Sequence, residues 1–257
     1  MVMDKTELKE FLDEKYLLYN NPQFIDSDPI TIPHLFSRKE DIEIAGFLSA
    51  IIAWGQRPTI IRNAARLMKM MGGEPYNFLM NFRENDLHSF NTFVHLTFNA
   101  LDCNYFISSL AKIYKDHGGL EPLFSEAYSI DQTTKSAITH FRNNFLSFQP
   151  LPRTEKHLAN PSKGSSAKRI NLFLRWMVRP STSGVDFGIW KSVPTSALMI
   201  PLDVHSGRVA RRLGLLQRQQ NDWQAVEELT ENLRVFDSSD PVKYDFALFG
   251  LGMFEKF

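Results

Sequence analysis

Cysteine is almost missing: a single one, Cys103, stands among 257 residues. One thiol excludes an internal disulfide framework and any cysteine-ligated zinc or iron–sulfur centre. It also makes the reducing cytoplasm the expected location. Long apolar runs are missing as well, since nothing approaches the roughly 20 apolar residues that span a bilayer. The amino terminus, MVMDKTELKEFLDEKY, is acidic and helical in pattern; a leader would be basic and followed by an apolar stretch. Period-two alternation never lasts beyond a few residues, and no internal repeat or low-complexity tract occurs. Phosphate-cradle, zinc-binding and Ser–His–Asp motifs are absent, so the expected chemistry uses no metal and no cofactor. Net charge is absent too, with 29 basic and 29 acidic residues.

That balance conceals an asymmetry. Residues 151–220 hold twelve Lys or Arg against three acids (Glu155, Asp186, Asp203), a surplus of nine positive charges, while the remainder holds 17 basic and 26 acidic residues. A basic band on an otherwise acidic chain is the footprint of a phosphate-backbone partner. Charge runs are also commonly just solvated faces, so the band alone decides nothing.

The pattern along the chain predicts helices nearly throughout. Apolar Leu8, Phe11, Leu12, Leu17 and Leu18 mark a helix over 4–19, and SDPITIPHLF reads as an extended connection. Residues 39–53 become apolar all round toward their end, as a buried helix does. Pro58 opens the next helix and Gly72-Gly73 closes it. Further helical stretches cover 75–82, 86–93, 102–116, 120–129, 132–147, 165–178, 204–215 and 222–234, and an aromatic-rich one ends the chain. The fold class is all-α. Trp54, Trp176 and Trp190 read as packing residues.

Chemistry concentrates in two segments. In NPSKGSSAKRINLFLRWMVR, residues 160–179, the small residues Gly164, Ser165, Ser166 and Ala167 lead into a helix. Free backbone N–H groups at such a start can hold a phosphate, and small side chains let it approach. Lys168 and Arg169 sit on the first turn, where basic surface meets the apolar Phe173, Leu174 and Met177. In IPLDVHSGRVARRLGLL, residues 200–216, Asp203 stands as the N-cap of a helix carrying His205, Arg208, Arg211 and Arg212. An ordinary cap is the commoner reading of such an Asp, and it is compatible with catalysis.

Gly164-xxx-Lys168, then Leu202-Asp203-Val204-His205 leading into Arg208-Val209-Ala210-Arg211-Arg212-Leu213-Gly214, resembles the helix–hairpin–helix DNA glycosylases such as endonuclease III and the 8-oxoguanine glycosylases. The stretch FLSAIIAWGQRPTIIRNAARL is similar to their helix-turn-helix entry, and YDFALFGLG to the helix lining their base pocket. Over most of its length the chain also resembles a family of conserved hypothetical bacterial proteins marked by LRWMVR, VDFGIW, PLDVHSGRVAR and DPVKYDFALFGLG. Three departures stand out: Ser166 replaces the second hairpin glycine, VRPSTSGVDFGIWKSVP has no counterpart, and the cysteine cluster of endonuclease III is absent.

The resemblance implies a helix–hairpin–helix glycosylase-like fold of two helical lobes with a groove between them. Residues 1–39 and 195–257 would form the terminal lobe, and 40–194, including the hairpin at 158–178, the central bundle. It implies a monomer, free of an iron–sulfur cluster, acting on double-stranded DNA in the nucleoid. A damaged base, an oxidised purine by analogy, would be flipped out and excised, with or without strand cleavage. Lys168 would be the nucleophile, which must act as the neutral amine. Asp203 would stay ionised and stabilise positive charge on the sugar. Gly164, Ser165, Ser166, Arg169, His205, Arg208 and Arg211 would meet phosphate, with Gln56 and Arg57 filling the vacated stack. Asp245 and Phe249, four apart on one helix face, would line the base pocket. The alternative is a nucleic-acid-binding protein that kept the scaffold without the chemistry; it would retain full function as Lys168→Gln.

Overall fold

In the computed structural model, which describes residues 3–148, 150–180 and 182–257, several of the helices begin at a capping side chain. Asp4 opens α1 (Lys5–Tyr19) with a capping box: its carboxylate accepts the Thr6 and Glu7 N–H groups while the Glu7 carboxylate accepts the Asp4 N–H. There follow α2 (Gln23–Asp26), α3 (Lys39–Ile51), α4 (Arg57–Met70), α5 (Pro75–Asn81), α6 (Ala100–His117) and α7 (Leu120–Asp131). Then come α8 (Thr134–Phe145), α9 (Pro152–Glu155), α10 (Lys168–Val178), α11 (Val204–Arg212), α12 (Trp223–Arg234) and α13 (Tyr244–Met253). A two-residue antiparallel pair, β1 (Val94–His95) with β2 (Phe98–Asn99), is the only sheet among the described residues. With 65% helix and 2% strand, the protein is predominantly helical.

Local chemistry moves several boundaries. SDPITIPHLF is not extended: Asp28 accepts the Ile30 N–H, and prolines open 3-10 turns at Pro29–Thr31 and Pro33–Leu35. The stretch 86–93 is likewise a 3-10 helix, Glu84–Thr92. In α1, Leu17 and Leu18 are exposed at 73% and 52%; Leu8 and Leu12 hold the buried stripe.

The chain forms two compact units. One comprises the chain up to Phe24 with Asn160–Phe257, and the other is Ile25–Ala159. The hairpin and the stretch after it thus belong with the termini rather than with the middle of the chain, and residues 25–39 with the central unit. The physical reason is pairing with the end of the chain: hairpin residue Gly164 accepts the Trp223 N–H at 3.0 Å, and α10 carries an ion partner on α13.

In the central unit α3 is buried from Ile42 through Ile51, as its continuous apolar run demands. Its Phe47 packs on Phe106, Phe141 and Phe145 at ring separations of 6.2, 5.5 and 5.5 Å. In the terminal unit α13 packs against α1 and α11. Glycines permit that closeness. A methyl group at Gly250 would run into the Tyr19 ring, and one at Gly252 would press on Val209 and His205 at 3.2 Å.

Candidate active site

The hairpin is shaped by its own polar atoms. Asn160 caps the turn Pro161–Lys163 through the Ser162 N–H, and Gly164 follows at φ +87°, a conformation costly for other residues. Ser165 then pairs as an isolated bridge with Asp222. Ala167, at φ +47°, turns the chain into α10, so the helix starts at Lys168 rather than at 165. No side chain caps this start. Ser166, in place of the second glycine, uses its carbonyl to accept the Asn171 side-chain amide at 3.1 Å.

Lys168 is therefore the first residue of α10, and Asp203 is the N-cap of α11. Asp203 Oδ1 accepts the His205 and Ser206 N–H groups, both at 2.9 Å, and the Ser206 hydroxyl at 3.1 Å. That leaves Oδ2 to face Lys168 Nζ at 3.2 Å, across 35 residues of sequence. Burial works to raise the Asp203 carboxyl, but the Lys168 charge and the Ser206 N–H outweigh it and hold it below the usual range. The carboxylate stays ionised at any physiological pH. Lys168 is 31% exposed, so the pair opens to solvent on one side.

Behind the pair lies a buried ion chain. Arg175, two turns along α10, bonds Asp245 of α13 through Nη1 and Asp186 through Nε at 3.3 Å. Arg179 bonds the other Asp186 oxygen at 2.9 Å, Asp240 at 2.8 Å and the Tyr16 hydroxyl at 2.8 Å. The Phe246 ring lies under both guanidinium groups, 4.3 Å from that of Arg175. Burial, reinforced by the Asp203 charge and opposed by Arg175 and Lys168, pushes the Asp245 carboxyl up to about 6. The two carboxyls near Lys168 are thus driven in opposite directions.

Arg175, Arg179, Asp186 and Asp240 were not among the residues expected to matter. Their signal was present, however: LRWMVR, VDFGIW, PLDVHSGRVAR and DPVKYDFALFGLG supply between them every charged member of the site and its ion chain except Lys168. The unplaced stretch after α10 also finds a role, Ser181 within it lying outside the described residues. Phe187 and Trp190 donate their N–H groups to Trp176 and Met177 at 2.8 and 2.9 Å, and the Trp190 ring meets Phe173 edge-on at 5.4 Å. This strap satisfies the end of α10 and delivers Asp186.

The remaining expected residues divide. His205 is exposed, and its backbone N–H, not its ring, bonds Asp203. Arg208 is exposed and donates to the Gly252 carbonyl at 3.2 Å. Arg211 is engaged internally, donating to the Arg218 carbonyl at 2.8 Å and to Asn221 at 2.6 Å, while Asn221 bonds the Asp203 carbonyl at 3.0 Å. It buttresses the cap. Arg212 lies over the Phe257 ring at 4.7 Å. Arg169 is half-buried, and loss of water pushes it down to about 10. Phe249 packs edge-on against Phe24 and Phe254. Asp245 faces Arg175, so one of its oxygens is already committed. Gln56 and Arg57 belong to the central unit: Gln56 is exposed at the start of α4 without a capping bond, and Arg57 approaches Asp28 at 3.5 Å.

The basic band also changes meaning. Many of its cations have partners outside the 151–220 window: Arg153 pairs with Asp102, Arg175 with Asp245, Arg179 with Asp240 and Arg218 with Asp222. Four of the nine surplus charges are thus met by acids outside the window, so the count by sequence overstates the positive surface.

Fold and site together define a predominantly helical protein with a lysine–carboxylate pair at two helix starts, backed by a buried ion chain. Residues 28–254 match the family described as "Protein of unknown function (DUF2400)", and the chain belongs to that family. No curated protein and no solved structure matches it.

Proposed function

We propose that the protein is a DNA base-excision glycosylase on a helix–hairpin–helix scaffold, removing a damaged base from duplex DNA. What supports the reading is the 3.2 Å approach of Lys168 Nζ to Asp203 Oδ2, with Oδ1 spent on the helix cap. Capping and catalysis then use different oxygens of one carboxylate, and neither compromises the other.

Asp203 is fixed and ionised beside the amine. As the bond between C1′ and the base lengthens, its electrons move to the base and the sugar gains positive charge, which a fixed carboxylate stabilises without reorganising. Lys168, after giving up one proton, bonds C1′ with its lone pair. A further proton passes from that nitrogen to O4′ as the C1′–O4′ bond breaks, and the opened sugar is held as a Schiff base. Water hydrolyses it, or β-elimination breaks the 3′ strand. Phosphates flanking the lesion would meet the uncapped start of α10, since the Gly164 and Ser165 N–H groups are spent on the Pro161 and Asn160 carbonyls, and exposed Arg208, bonded to the Gly252 carbonyl, is the guanidinium nearest Asp203 in sequence.

Incubation with lesion-bearing duplexes and borohydride should trap an adduct on Lys168, and Lys168→Gln should abolish it. Absence of both trapping and base release across a broad lesion panel overturns the proposal. A nucleic-acid-binding role without chemistry is favoured by one observation, that the Lys168 amine is already paired. Duplex affinity in Lys168→Gln equal to that of the parent, with no base release by either protein, would establish it.

A further inference from the structure

We infer that the acceptors beside Lys168 and Asp203 are built for a positively charged nucleobase, a ring-alkylated purine, in place of the neutral oxidised purine that resemblance suggests. The inference rests on the glycosylase reading above.

The first observation is an imbalance of charge. The site and its ion chain hold four carboxylates, Asp186, Asp203, Asp240 and Asp245, against three cations, Lys168, Arg175 and Arg179. Arg169, one residue on from Lys168, lies about 100° round the helix and does not join them. One negative charge is left over among groups largely removed from water, where the attraction for a cation is strongest.

The second is a pair of unfilled acceptors. Asn171 is 1% exposed; its amide is spent on the Ser166 carbonyl, and its Oδ1 has no partner. A buried carbonyl oxygen without a donor is costly unless a ligand supplies one. Lys168, Asn171 and Arg175 follow at i, i+3 and i+7, on one face of α10. Asp245 bonds Arg175 through Oδ2, and its Oδ1 accepts no hydrogen bond. Alkylation of a purine ring nitrogen places a full positive charge on the ring and makes its N–H groups stronger donors. A buried amide oxygen and the second oxygen of a carboxylate whose first is paired with Arg175 complement that arrangement.

The third is the chemistry of departure. A cationic base takes the electrons of the C1′–N bond and leaves neutral, needing no proton. A neutral oxidised purine must gain a proton as it leaves. The groups facing Asp245 are Arg175 and Lys168 of α10 and Asp203 at the start of α11, with Asp186 reaching it through Arg175. On the α1 side Tyr16 lies against the neighbouring Phe246. Asp245, pushed up to about 6, is ionised at neutral pH and offers no proton there.

The test compares single-turnover base release from duplexes carrying 7-methylguanine, a cation, and 8-oxoguanine, which is neutral, between pH 5 and 7 with the full-length protein. The expected results are a preference of about tenfold or more for 7-methylguanine at pH 7, and release of that base that rises with pH through about 6 as Asp245 ionises. Asp245→Asn should flatten this limb and shrink the preference. Asn171→Leu, which leaves the charges intact, should lower release of 7-methylguanine while keeping the limb. Equal or better release of 8-oxoguanine, or release that falls as pH rises, overturns the inference and leaves the glycosylase reading standing. Should neither duplex, nor any other lesion, be processed, both fail together. Because the pH limb is read on the unaltered protein, a misfolded variant does not spoil the test.

Discussion

The two units have cores of different kinds. The largest fully buried side chains of the central unit are phenylalanines: Phe47, Phe90, Phe93, Phe98, Phe106, Phe124, Phe141 and Phe145. Those of the terminal unit are Trp176, Trp190, Tyr244 and the guanidinium-bearing Arg179. Aromatic burial stabilises in proportion to the area removed from water, with a further gain from edge-to-face contacts. A buried ion chain does not, because desolvation of each charge consumes most of the Coulombic gain, and apolar replacements of similar volume are often as stable or more so. A core of the first kind needs no explanation beyond folding. The second kind calls for one, and its placement directly behind the Lys168–Asp203 pair supplies it: the charges hold the site's geometry and set its electrostatics.

Conservative substitutions break the comparison most sharply. In the terminal unit Asp186→Asn preserves shape but leaves Arg175 and Arg179 short of a counter-charge, and the expected cost is about 3–5 kcal/mol in urea denaturation. Phe141→Leu in the central unit keeps an apolar filler, so it should cost only about 1–2 kcal/mol even though Phe141→Ala would cost about 3–5. If Asp186→Asn proves as mild as Phe141→Leu, the ion chain is no tighter than a surface network.

Asp245 gives the next largest effect, and its sign is fixed. Its folded-state carboxyl is raised from 3.8 to about 6. The stability it confers is therefore complete below about pH 4 and is lost as pH rises through 6. Relative to Asp245→Asn, the unaltered protein should gain on the order of 2 kcal/mol between pH 7 and pH 4. Carboxyl carbon NMR should show Asp245 titrating near 6 and Asp203 below the usual carboxylate range. A common midpoint for both would remove the division of roles between them.

The helices were legible because their signals are local. Asp4, Asn99, Asp203 and Asp222 act at the helix starts where their residue types belong, and the apolar run of α3 is buried as continuous hydrophobicity requires. The pairing of Lys168 with Asp203 was legible only through resemblance, since no spacing rule joins residues 35 apart. Other features could not be read. The start of α10 depends on Ser165 pairing with Asp222, far along the chain, and on a left-handed Ala167. The stretch LRWMVR marks Arg175 and Arg179, but their partners could not be read, because a charge and its partner on another helix share no local pattern. For the same reason the basic band promised more positive surface than the pairing leaves.

The smallest stability effect is the most informative about function. Asp203→Asn exchanges one strong N-cap for another, so the helix start should be kept, at a cost of a few tenths of a kcal/mol. The partly exposed ion pair with Lys168 adds no more than about 1 kcal/mol. The carboxylate charge, by contrast, is gone. Under the proposed mechanism base release should fall by about a hundredfold or more, the scale seen when one fixed electrostatic group is taken from a transition state. Asp203→Ala should fall as far in activity while losing about 1 kcal/mol of helix capping in addition. If Asp203→Asn keeps its rate and only Asp203→Ala is impaired, Asp203 serves the helix alone. The terminal unit's charges would then be a matter of architecture, as the phenylalanines are in the central unit.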